Sequence, residues 1–505
     1  MTDLQLDTLE ARGLIRIATI DPELEYLFRH ALLQDTAYES LLKQERKALH
    51  QVVGHALESL YPDRLGELSA VLALHYEQAG EKGKAIEYLA AAAQFASERH
   101  AIVEAVDLYT RARNLMPAEL DPADTEMTRR RIELDLGRVK AGFSFMSEDQ
   151  ALAILEPLIE PAGRLGDLAL EAEVHIGIAL ARQFRGEQPN SHEKLRTSLE
   201  RVAEIARELN DPAIAALPQS LVGLFQVFIG ELRDGIAKLE VSAPQLAQRN
   251  DFIASSFALV ALAIGYARLG EFDRAAQAAR QATELGERGD LIAKLDAMIG
   301  ESTVRSVRGD LEGAIPIARL CTEMAEATGA TACVVASNFL LGDAFMRQGE
   351  FAPAQIAFER GAEVANAIEQ RVFRPSIAAY IRANAANQGE FGPTARSFDD
   401  ALEEARGIND RWGEANVIWK RADTEARKSP GDSRQMLEDY ERAATAFAQM
   451  GGRPYQARVL RDWGMALRSI GRNDEGKARL RESLGLMDEL GLAREAAEIR
   501  VTLAD

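Results

Sequence analysis

The sequence contains very little cysteine and little proline for its length. Its 505 residues include two cysteines, Cys321 and Cys333, and 16 prolines. Two cysteines cannot form the disulfide framework of a secreted protein, and their scarcity is typical of a reducing compartment. We therefore interpret both as small buried apolar residues and expect a cytoplasmic protein.

The chain also lacks long apolar runs and an excess of positive charge. Nowhere do 18 apolar residues follow one another, and the first residues include acids and lack the apolar run of a signal peptide. This predicts that the chain binds no membrane. Its 59 Lys and Arg residues against 79 Asp and Glu residues give a net charge of -20, which argues against direct binding of nucleic acid.

The motifs of common metal and nucleotide sites are missing as well. The sequence has no GxxxxGK[ST] loop to hold phosphates, and its cysteines have no partners at zinc spacing. His50 and His55 are five residues apart, which on a helix turns them away from each other. His192-Glu193 lacks the second histidine of a zinc protease motif. We predict no metal, no cofactor and no enzymatic activity.

Glycines that mark turns recur along the chain at a regular spacing. From residue 230 onward they lie at positions 230, 270, 309, 349, 389, 431 and 471, which are 39 to 42 residues apart. Each lies between stretches whose apolar residues recur every three or four positions, as in amphipathic helices. Glycine supplies the left-handed cap of a first helix, and a following acid favours the start of a second. The repeating unit is predicted to be a helical hairpin with helices of roughly 16 to 18 residues.

Small residues recur at two fixed distances from these glycines. With Gly80 counted as an earlier turn glycine, the residues five positions after the glycine are Ala85, Gly235, Ala275, Ala314, Ala354 and Gly476. Those seven positions before it are Ala73, Gly223, Ala263, Ser302, Gly342 and Gly464. Helix axes approach to about 8 to 10 Å only where the side chains in contact are small. We predict that these residues pack the two helices together and carry no chemistry.

The repeat resembles the tetratricopeptide repeat, most clearly in FLLGDAFMRQGEFAPA from Phe339 and in YTRARNLMP ending at Pro117. Its length exceeds the 34 residues of that family, and the longer HEAT or armadillo repeats remain an alternative. The glycine-acid turn and the spaced small residues favour the tetratricopeptide-like reading. The resemblance implies an all-α, right-handed superhelix of about eleven hairpins, ending in a capping helix.

Residues 1–60 do not follow the repeat. LQLDTLEARGLI is predicted to form a helix ending at Gly13, and LIRIA and EYLFRHAL flank the polar turn TIDPEL, which predicts a β-hairpin. A helix followed by a hairpin is the second half of a winged-helix domain. We assign residues 1–31 to a partial winged helix, 32–118 to linker helices and the first repeats, and 119–505 to the superhelix.

The stretch FRHALLQDTAYESLL is unusually polar for a helix and could hold a catalytic cluster of His30, Asp35 and Tyr38. On one helix, however, Asp35 and Thr36 point about 100° apart. The apolar residues expected to be buried are Phe28, Ala31, Leu32, Ala37, Leu41 and Leu42. We therefore predict that His30 and Tyr38 pack at the seam between hairpin and helix, with their polar ends hydrogen-bonded, and that Asp35 is exposed or caps the helix.

The segments LEARGLI, EYLFRHALLQDTAYESLL and QERKALHQVVGHALE, followed by the repeats, resemble a junction in signal-transduction ATPases of the STAND class. That class includes ATPases fused to adenylate or guanylate cyclase domains, and the maltose-activator type of transcription regulator is similar in architecture. The residues that carry the resemblance are Phe28-Arg29-His30, Ala37-Tyr38 and Leu49-His50, within residues 4–118. The resemblance implies a sensor arm. Because the sequence has no P-loop and no cyclase signature, the resemblance implies neither ATP hydrolysis nor cyclic-nucleotide synthesis for this chain. We expect the chain to be a fragment of a larger protein or a separate sensor subunit, and whether Met1 is the natural start stays open.

The resemblance to the tetratricopeptide repeat implies that the first helix of each hairpin lines a concave groove. Its predicted lining residues are Phe228, Phe257, Ile264, Arg268, Phe339, Asp343, Met346, Arg347 and Asn387. Such an apolar surface with a few polar groups is the usual composition of a small-molecule or peptide site. The alternative is that tighter winding buries these residues as core.

These features predict a non-enzymatic scaffold or sensor arm of a bacterial signalling ATPase. It would bind a protein, a peptide or a small effector in the groove and pass a change in superhelical pitch to an NTPase domain. The arm of a transcription activator, and a catalytic subunit that uses His30, Asp35 and Tyr38, are the alternatives. The ligand, the effector domain and homo-oligomerisation stay open.

Overall fold

The structure is a computed structural model, and it describes residues 3–19, 25–99, 101–119, 121–143, 146–184, 193–248, 252–288, 291–368, 370–392, 396–428 and 434–504. These residues form 26 α-helices, two short 3-10 helices and one pair of β-strands. The predicted all-α class is therefore confirmed. Among the described residues, no helix is long and apolar enough to cross a membrane.

The chain divides into two compact units. The smaller unit comprises Met1–Ala96 and Asp107–Glu119, and the larger comprises Ser97–Val106 and Leu120–Asp505. The elements from residue 3 to residue 115 are α1 (Asp3–Ala11), β1 (Ile15–Thr19), β2 (Glu25–Phe28), α2 (Ala31–Glu39), α3 (Lys43–Leu60), α4 (Leu65–Ala79), α5 (Lys82–Glu98) and α6 (Ile102–Leu115). The winged-helix assignment and the predicted domain boundaries remain predictions.

The N-terminal hairpin forms as the sequence predicts. Strands β1 and β2 are antiparallel, with Ile15 opposite Phe28 and Ile17 opposite Tyr26, whereas most of the predicted turn lies outside the described residues.

The prediction that the apolar side chains around α2 are buried is wrong. Phe28, Leu32 and Leu42 are 43%, 79% and 70% exposed. Helix α2 is nine residues long, and it packs mainly along the four-residue strand β2. Because so short a strand cannot cover the apolar side of a helix, Leu32 of α2 stays in contact with solvent.

The larger unit continues with stacked helices. They are α7 (Thr125–Gly142), α8 (Glu148–Leu155), α9 (Ile159–Leu165), α10 (Leu168–Phe184), α11 (Glu193–Leu209), α12 (Pro212–Ile229), α13 (Leu232–Ala247), α14 (Phe252–Leu269), α15 (Phe272–Arg288), α16 (Leu291–Arg308), α17 (Leu311–Thr328), α18 (Thr331–Gln348), α19 (Phe351–Ala367), α20 (Arg374–Asn387), α21 (Phe398–Gly407), α22 (Arg411–Lys428), α23 (Arg434–Met450), α24 (Arg453–Ser469), α25 (Asn473–Glu489) and α26 (Ala493–Ala504). Helices α12 to α25 pair as successive hairpins, and the first helix of one hairpin packs against the first helix of the next, as α12 does on α14 and α14 on α16.

The turns between paired helices have the predicted geometry. Gly230, Gly270, Gly309, Gly349, Gly389 and Gly471 all have positive φ, whereas Gly431 lies outside the described residues. At Gly270 the N–H of Glu271 donates to the carbonyl oxygen of Tyr266 at 2.9 Å, which closes the end of α14. After Gly309, Asp310 accepts the N–H of Gly313 at 3.0 Å and caps α17.

The small residues bring the paired helices into close contact, as predicted. A methyl group added at Gly235 would lie 2.7 Å from the carbonyl oxygen of Gly223 on the facing helix. At the same repeat position Ala275, Ala314 and Ala354 are fully buried. These residues are packing positions. The two cysteines are buried as predicted, and burial raises the pKa of Cys321 to about 12.

Inner helices that are distant in sequence meet across the larger unit. Helix α12 contacts α22, and α14 contacts α24. The guanidinium of Arg458 on α24 donates to the carbonyl oxygen of Val307 at the end of α16, at 2.7 Å. The first helices of the hairpins therefore close around an internal space.

Candidate functional site: an internal cavity

A cavity of about 590 Å³ lies inside the larger unit. Its wall is built by the first helices of successive hairpins, from α12 through α24, together with α7, α8 and α10. The volume falls within the roughly 300 to 1,000 Å³ of typical small-molecule sites. The cavity is lined by the helices that the repeat pattern assigns to the concave side.

A series of aromatic rings runs along this wall. Phe228 lies 5.8 Å from Phe373, Phe373 lies 6.4 Å from Phe339, and Phe339 lies 5.2 Å from Tyr380, measured between ring centroids. Phe228, Phe339 and Phe373 are half-buried, so part of each ring faces the cavity. The wall therefore offers a continuous apolar surface to whatever enters.

The connection from α19 to α20 also contributes to the wall. Val372 packs against Phe225 and Ile229 of α12, and Gln370 and Phe373 line the cavity beside it. The predicted site contains none of these three residues, because counting from the turn glycines places only helical residues.

Arg268 is held in place by the neighbouring repeat. Its guanidinium donates to the carbonyl oxygens of Val227 and Phe228 at 2.7 and 3.1 Å, and it lies 4.1 Å from the ring of Trp412. Burial lowers the pKa of Arg268. Because its N–H groups already bind the end of α12, Arg268 mainly links two neighbouring repeats at the cavity wall.

Asp410 is a buried carboxyl group on the cavity wall, two residues before Trp412. Its Oδ1 accepts the N–H of Gly413 at 2.7 Å and caps α22. Burial raises the pKa of Asp410 to about 7, although backbone N–H groups and the charge of Arg268 act in the opposite direction. The charge of this group therefore changes near neutral pH.

Two amide side chains leave oxygen atoms without partners. Gln370 and Asn416 are each 3% exposed and line the cavity. Within the described part of the chain, neither Gln370 Oε1 nor Asn416 Oδ1 has a hydrogen-bond partner. An unpartnered buried polar atom costs about 1 to 3 kcal/mol. A ligand that donates hydrogen bonds to these oxygens would remove that cost.

The structure places six of the nine predicted groove residues on the cavity wall. They are Phe228, Phe257, Ile264, Arg268, Phe339 and Asp343. Among the described lining residues, Met346, Arg347 and Asn387 are missing. Arg347 instead donates to the carbonyl oxygen of Ser306 at 2.7 Å and faces Glu495 on α26, because it lies at the turn end of α18. Met346 is next to it, and Asn387 is the last residue of α20.

Ligand binding at the six lining residues stays a prediction. Sequence reasoning missed Trp412, Asn416 and Tyr455, which line the cavity from α22 and α24. The same count from Gly471 gives Arg458, Arg461 and Met465, none of which is among the described lining residues, so the turn spacing alone does not find the three.

The polar residues of the N-terminal stretch do not form a joint site. His30 and Asp35 are exposed, whereas Tyr38 Oη lies 2.9 Å from His50 Nε2. The prediction that the hydroxyl group of Tyr38 is hydrogen-bonded is confirmed, and the prediction that His30 packs between hairpin and helix is wrong. His50 Nδ1 in turn lies 2.9 Å from His75 Nδ1. In the described residues, no three His, Cys, Asp or Glu side chains are grouped to hold a metal.

No family model matches the sequence. A segment of 159 residues, 31% of the chain, is 28% identical to an uncharacterized protein of Rhizobium meliloti (strain 1021). The match spans 15% of the length of that protein.

Solved structures of helical proteins are similar to the chain. A Rap protein complexed with Competence and Sporulation Factor matches with a TM-score of 0.55 and 12% identity over 72% of this chain and 99% of that one. Aspartyl phosphate phosphatase F of Bacillus subtilis matches with a TM-score of 0.42 and 13% identity over 74% and 96%. A STAND protein with a tetratricopeptide repeat sensor from Pyrococcus horikoshii matches with a TM-score of 0.33 and 16% identity over 97% and 60%. Of these three, the first supports a shared fold of stacked helical repeats.

Proposed function

We propose that this chain is the sensor or scaffold arm of a bacterial signalling ATPase and that it binds a peptide or a small effector in its internal cavity. The observation that carries the proposal is the 590 Å³ cavity itself, walled by half-buried aromatic rings and by amide oxygens that have no hydrogen-bond partner among the described residues. A purely structural core would fill such a space, since protein interiors are closely packed. The Rap protein of similar fold is complexed with Competence and Sporulation Factor, which supports ligand binding by this fold.

The stacking of the repeats provides a route for a signal. Arg268 links α14 to α12, and Arg347 links α18 to α16. Each arginine donates hydrogen bonds to backbone carbonyl oxygens of the preceding repeat. In a stacked array each repeat contacts mainly its neighbours, so small changes in spacing add up along the array. A ligand that touches several inner helices would change that spacing and hence the pitch of the superhelix.

Exposed apolar side chains in the smaller unit support the proposed contact with an NTPase domain. They include Leu27, Phe28, Leu32, Leu42, Leu49, Val52 and Leu60. Clusters of exposed large apolar side chains commonly mark surfaces that another protein covers. This segment also carries the resemblance to the STAND class, so an NTPase domain is the partner that we propose for it.

A neutral fluorescent dye tests the cavity. Nile red should bind to the protein with increased fluorescence. Ala336→Phe, which places a ring on the cavity wall, should raise the Kd of the dye by about tenfold or more, which corresponds to ~1.4 kcal/mol of binding free energy. The matched variant Ala352→Phe lies on the exposed side of α19 and should bind as the parent does. Circular dichroism checks that both variants keep their helix content. Absence of dye binding to the parent, or equal binding by both variants, would contradict the proposed cavity site.

Affinity capture tests the proposed partner. Purified tagged protein incubated with lysate should retain a P-loop NTPase, identified by mass spectrometry. Leu32→Glu combined with Leu42→Glu should abolish that capture, because both side chains are exposed in the smaller unit. The exposed Leu320 of α17 provides the control Leu320→Glu, which should have no effect. If no NTPase is captured, or the double variant captures it equally well, the ATPase-arm proposal is wrong.

A further inference from the structure

Among the residues that the structure describes, the charged side chains around the cavity are mostly acidic. They are Lys140, Glu148, Glu173, Arg268, Asp296, Asp343 and Asp410. The ammonium group of Lys140 lies 2.9 Å from Glu173, and the guanidinium of Arg268 is bound to two carbonyl oxygens and a ring. Both basic groups are therefore already paired within the protein.

Asp343 keeps part of its charge available to a ligand. Its Oδ2 lies 3.6 Å from Arg347 Nη1, which is longer than a direct hydrogen bond. Arg347 is also engaged with the carbonyl oxygen of Ser306. A cation in the cavity would therefore gain an attractive charge at Asp343 without displacing a short ion pair.

The neutral polar atoms of the wall also favour a hydrogen-bond donor. Gln370 Oε1 and Asn416 Oδ1 are both acceptors, and both are buried without a partner in the described part of the chain. An ammonium group carries three N–H donors and no acceptor. Such a group can donate to an oxygen of this kind, whereas a carboxylate would bring further acceptors to the same wall.

The rest of the wall suits an apolar body. Phe228, Phe257, Phe339 and Phe373 are half-buried on the lining. Aromatic faces attract a nearby cation as well as apolar groups. The same surface therefore accepts both parts of an amphiphilic amine.

We propose that the cavity selects ligands that carry a protonated amine on an apolar body. This inference rests on the proposed binding function and specifies the chemical class of the ligand. Such chemistry occurs in free amphiphilic amines and in the amino terminus of a short apolar peptide.

A series of three compounds with the same body tests the charge. 4-Phenylbutylamine, 4-phenylbutanol and 4-phenylbutyrate are titrated into the protein at pH 7.5 by isothermal calorimetry. The amine should bind most tightly and the acid most weakly, with about a tenfold difference in Kd between those two. Equal affinities, or tighter binding of the acid, would overturn the inference.

Variants of one carboxylate separate charge from shape. Asp343→Asn should weaken amine binding severalfold and leave the affinity for the alcohol unchanged. The control Asp273→Asn removes an exposed carboxylate from α15 and should change neither. If Asp343→Asn fails to fold, Gln370→Glu gives the opposite test, because it adds a carboxylate to the wall and should tighten amine binding. Amine affinity that is unaffected by these changes would contradict the inference.

Two peptides distinguish the sources of the amine. Leu-Phe-Leu amide with a free amino terminus should bind, and its N-acetylated form should not, if the natural ligand is a peptide. Binding of 4-phenylbutylamine with no binding of either peptide assigns a free amine. Nile red separates the two levels of the proposal: if the dye binds in the cavity and the amine has no advantage, the charge inference fails and the binding function stands. If the dye does not bind at all, both fail.

Discussion

The carboxylate of Glu495 on α26 receives two hydrogen bonds from the guanidinium of Arg458 on α24, at 2.8 and 2.9 Å. Arg458 also donates to the carbonyl oxygen of Val307, which lies 151 residues earlier in the chain. Arg347 and Arg461 face the same carboxylate at 3.4 and 3.6 Å. This buried cluster therefore ties the last helices of the chain to α16 and α18, two walls of the cavity.

Glu495→Gln should lower the free energy of unfolding by about 3 to 5 kcal/mol, because it leaves buried arginines short of a counter-charge. Urea denaturation followed by circular dichroism measures the change. The control Glu498→Gln lies on the same helix and removes an exposed pair with Arg494, which should cost about 0 to 1 kcal/mol. Similar losses for the two variants would show that the cluster adds no stability of its own.

Gly223→Ala should destabilise the larger unit by about 1 to 3 kcal/mol through overpacking. The added methyl group would lie 2.9 Å from the carbonyl oxygen of Gly235 and from Leu239, and the backbone oxygen cannot move without separating α12 from α13. Gly485→Ala is the matched change in open space on α25. It should stabilise by about 0.5 to 1 kcal/mol, because alanine favours the helix. Thermal unfolding of both variants measures the difference, and stabilisation by Gly223→Ala would contradict the close contact.

The repeats could be predicted from the sequence because local rules determine them. The left-handed cap at Gly270 and the close contact at Gly223 each demand a particular residue type at a fixed spacing. The inward-facing residues Phe228 and Phe339 followed from the same helical count. The pairing of Arg347 with Glu495 could not, because those residues are 148 positions apart and meet only through the summed rotation of many repeats.

The exposed apolar side of α2 was not predictable for a related reason. Leu32 in α2, with the apolar Phe28 and Leu42 on either side of the helix in sequence, indicates a surface that requires a partner. Sequence periodicity cannot say whether that partner belongs to the same compact unit. The connection that brings Gln370 and Phe373 to the cavity lies outside the periodic pattern. Long-range closure and irregular connections are therefore the parts of the candidate site that need the structure.

Asp410→Asn should change how stability depends on pH. Burial raises the pKa of Asp410 from 3.8 to about 7, so between those values the folded chain holds a proton that the unfolded chain has lost. The stabilisation from this group is fully present below about pH 4 and falls as the pH rises to about 7, by up to ~1.4 kcal/mol per pH unit. Asparagine retains an oxygen for the N–H of Gly413 and cannot titrate.

Urea denaturation at several pH values measures this effect. The stability of the parent relative to Asp410→Asn should decline from pH 5 to pH 7 and stay constant above about pH 8. A constant difference across the whole range would mean that Asp410 is ionised throughout, with its charge balanced inside the protein.

The paired histidines of the smaller unit should make α3 and α4 sensitive to acid. His50 Nδ1 and His75 Nδ1 are 2.9 Å apart, so one must donate and the other must accept, which a doubly protonated pair cannot do. Burial lowers the pKa of both rings, and the charge of His50 lowers that of His75 further. Because the folded values lie below the usual 6.5, stability from this pair is present above that pH and is lost as the pH falls through the folded values.

Hydrogen exchange measured by mass spectrometry should therefore show faster exchange in α3 and α4 at pH 5 than at pH 7, after correction for the intrinsic rate. In His75→Gln the glutamine cannot titrate, so exchange of these helices should depend less on pH than in the parent. His30→Gln changes an exposed ring outside the pair and should keep the acid response of the parent. If His75→Gln retains the full acid response, the response arises from other groups, and the contact between the two histidines is a neutral packing contact.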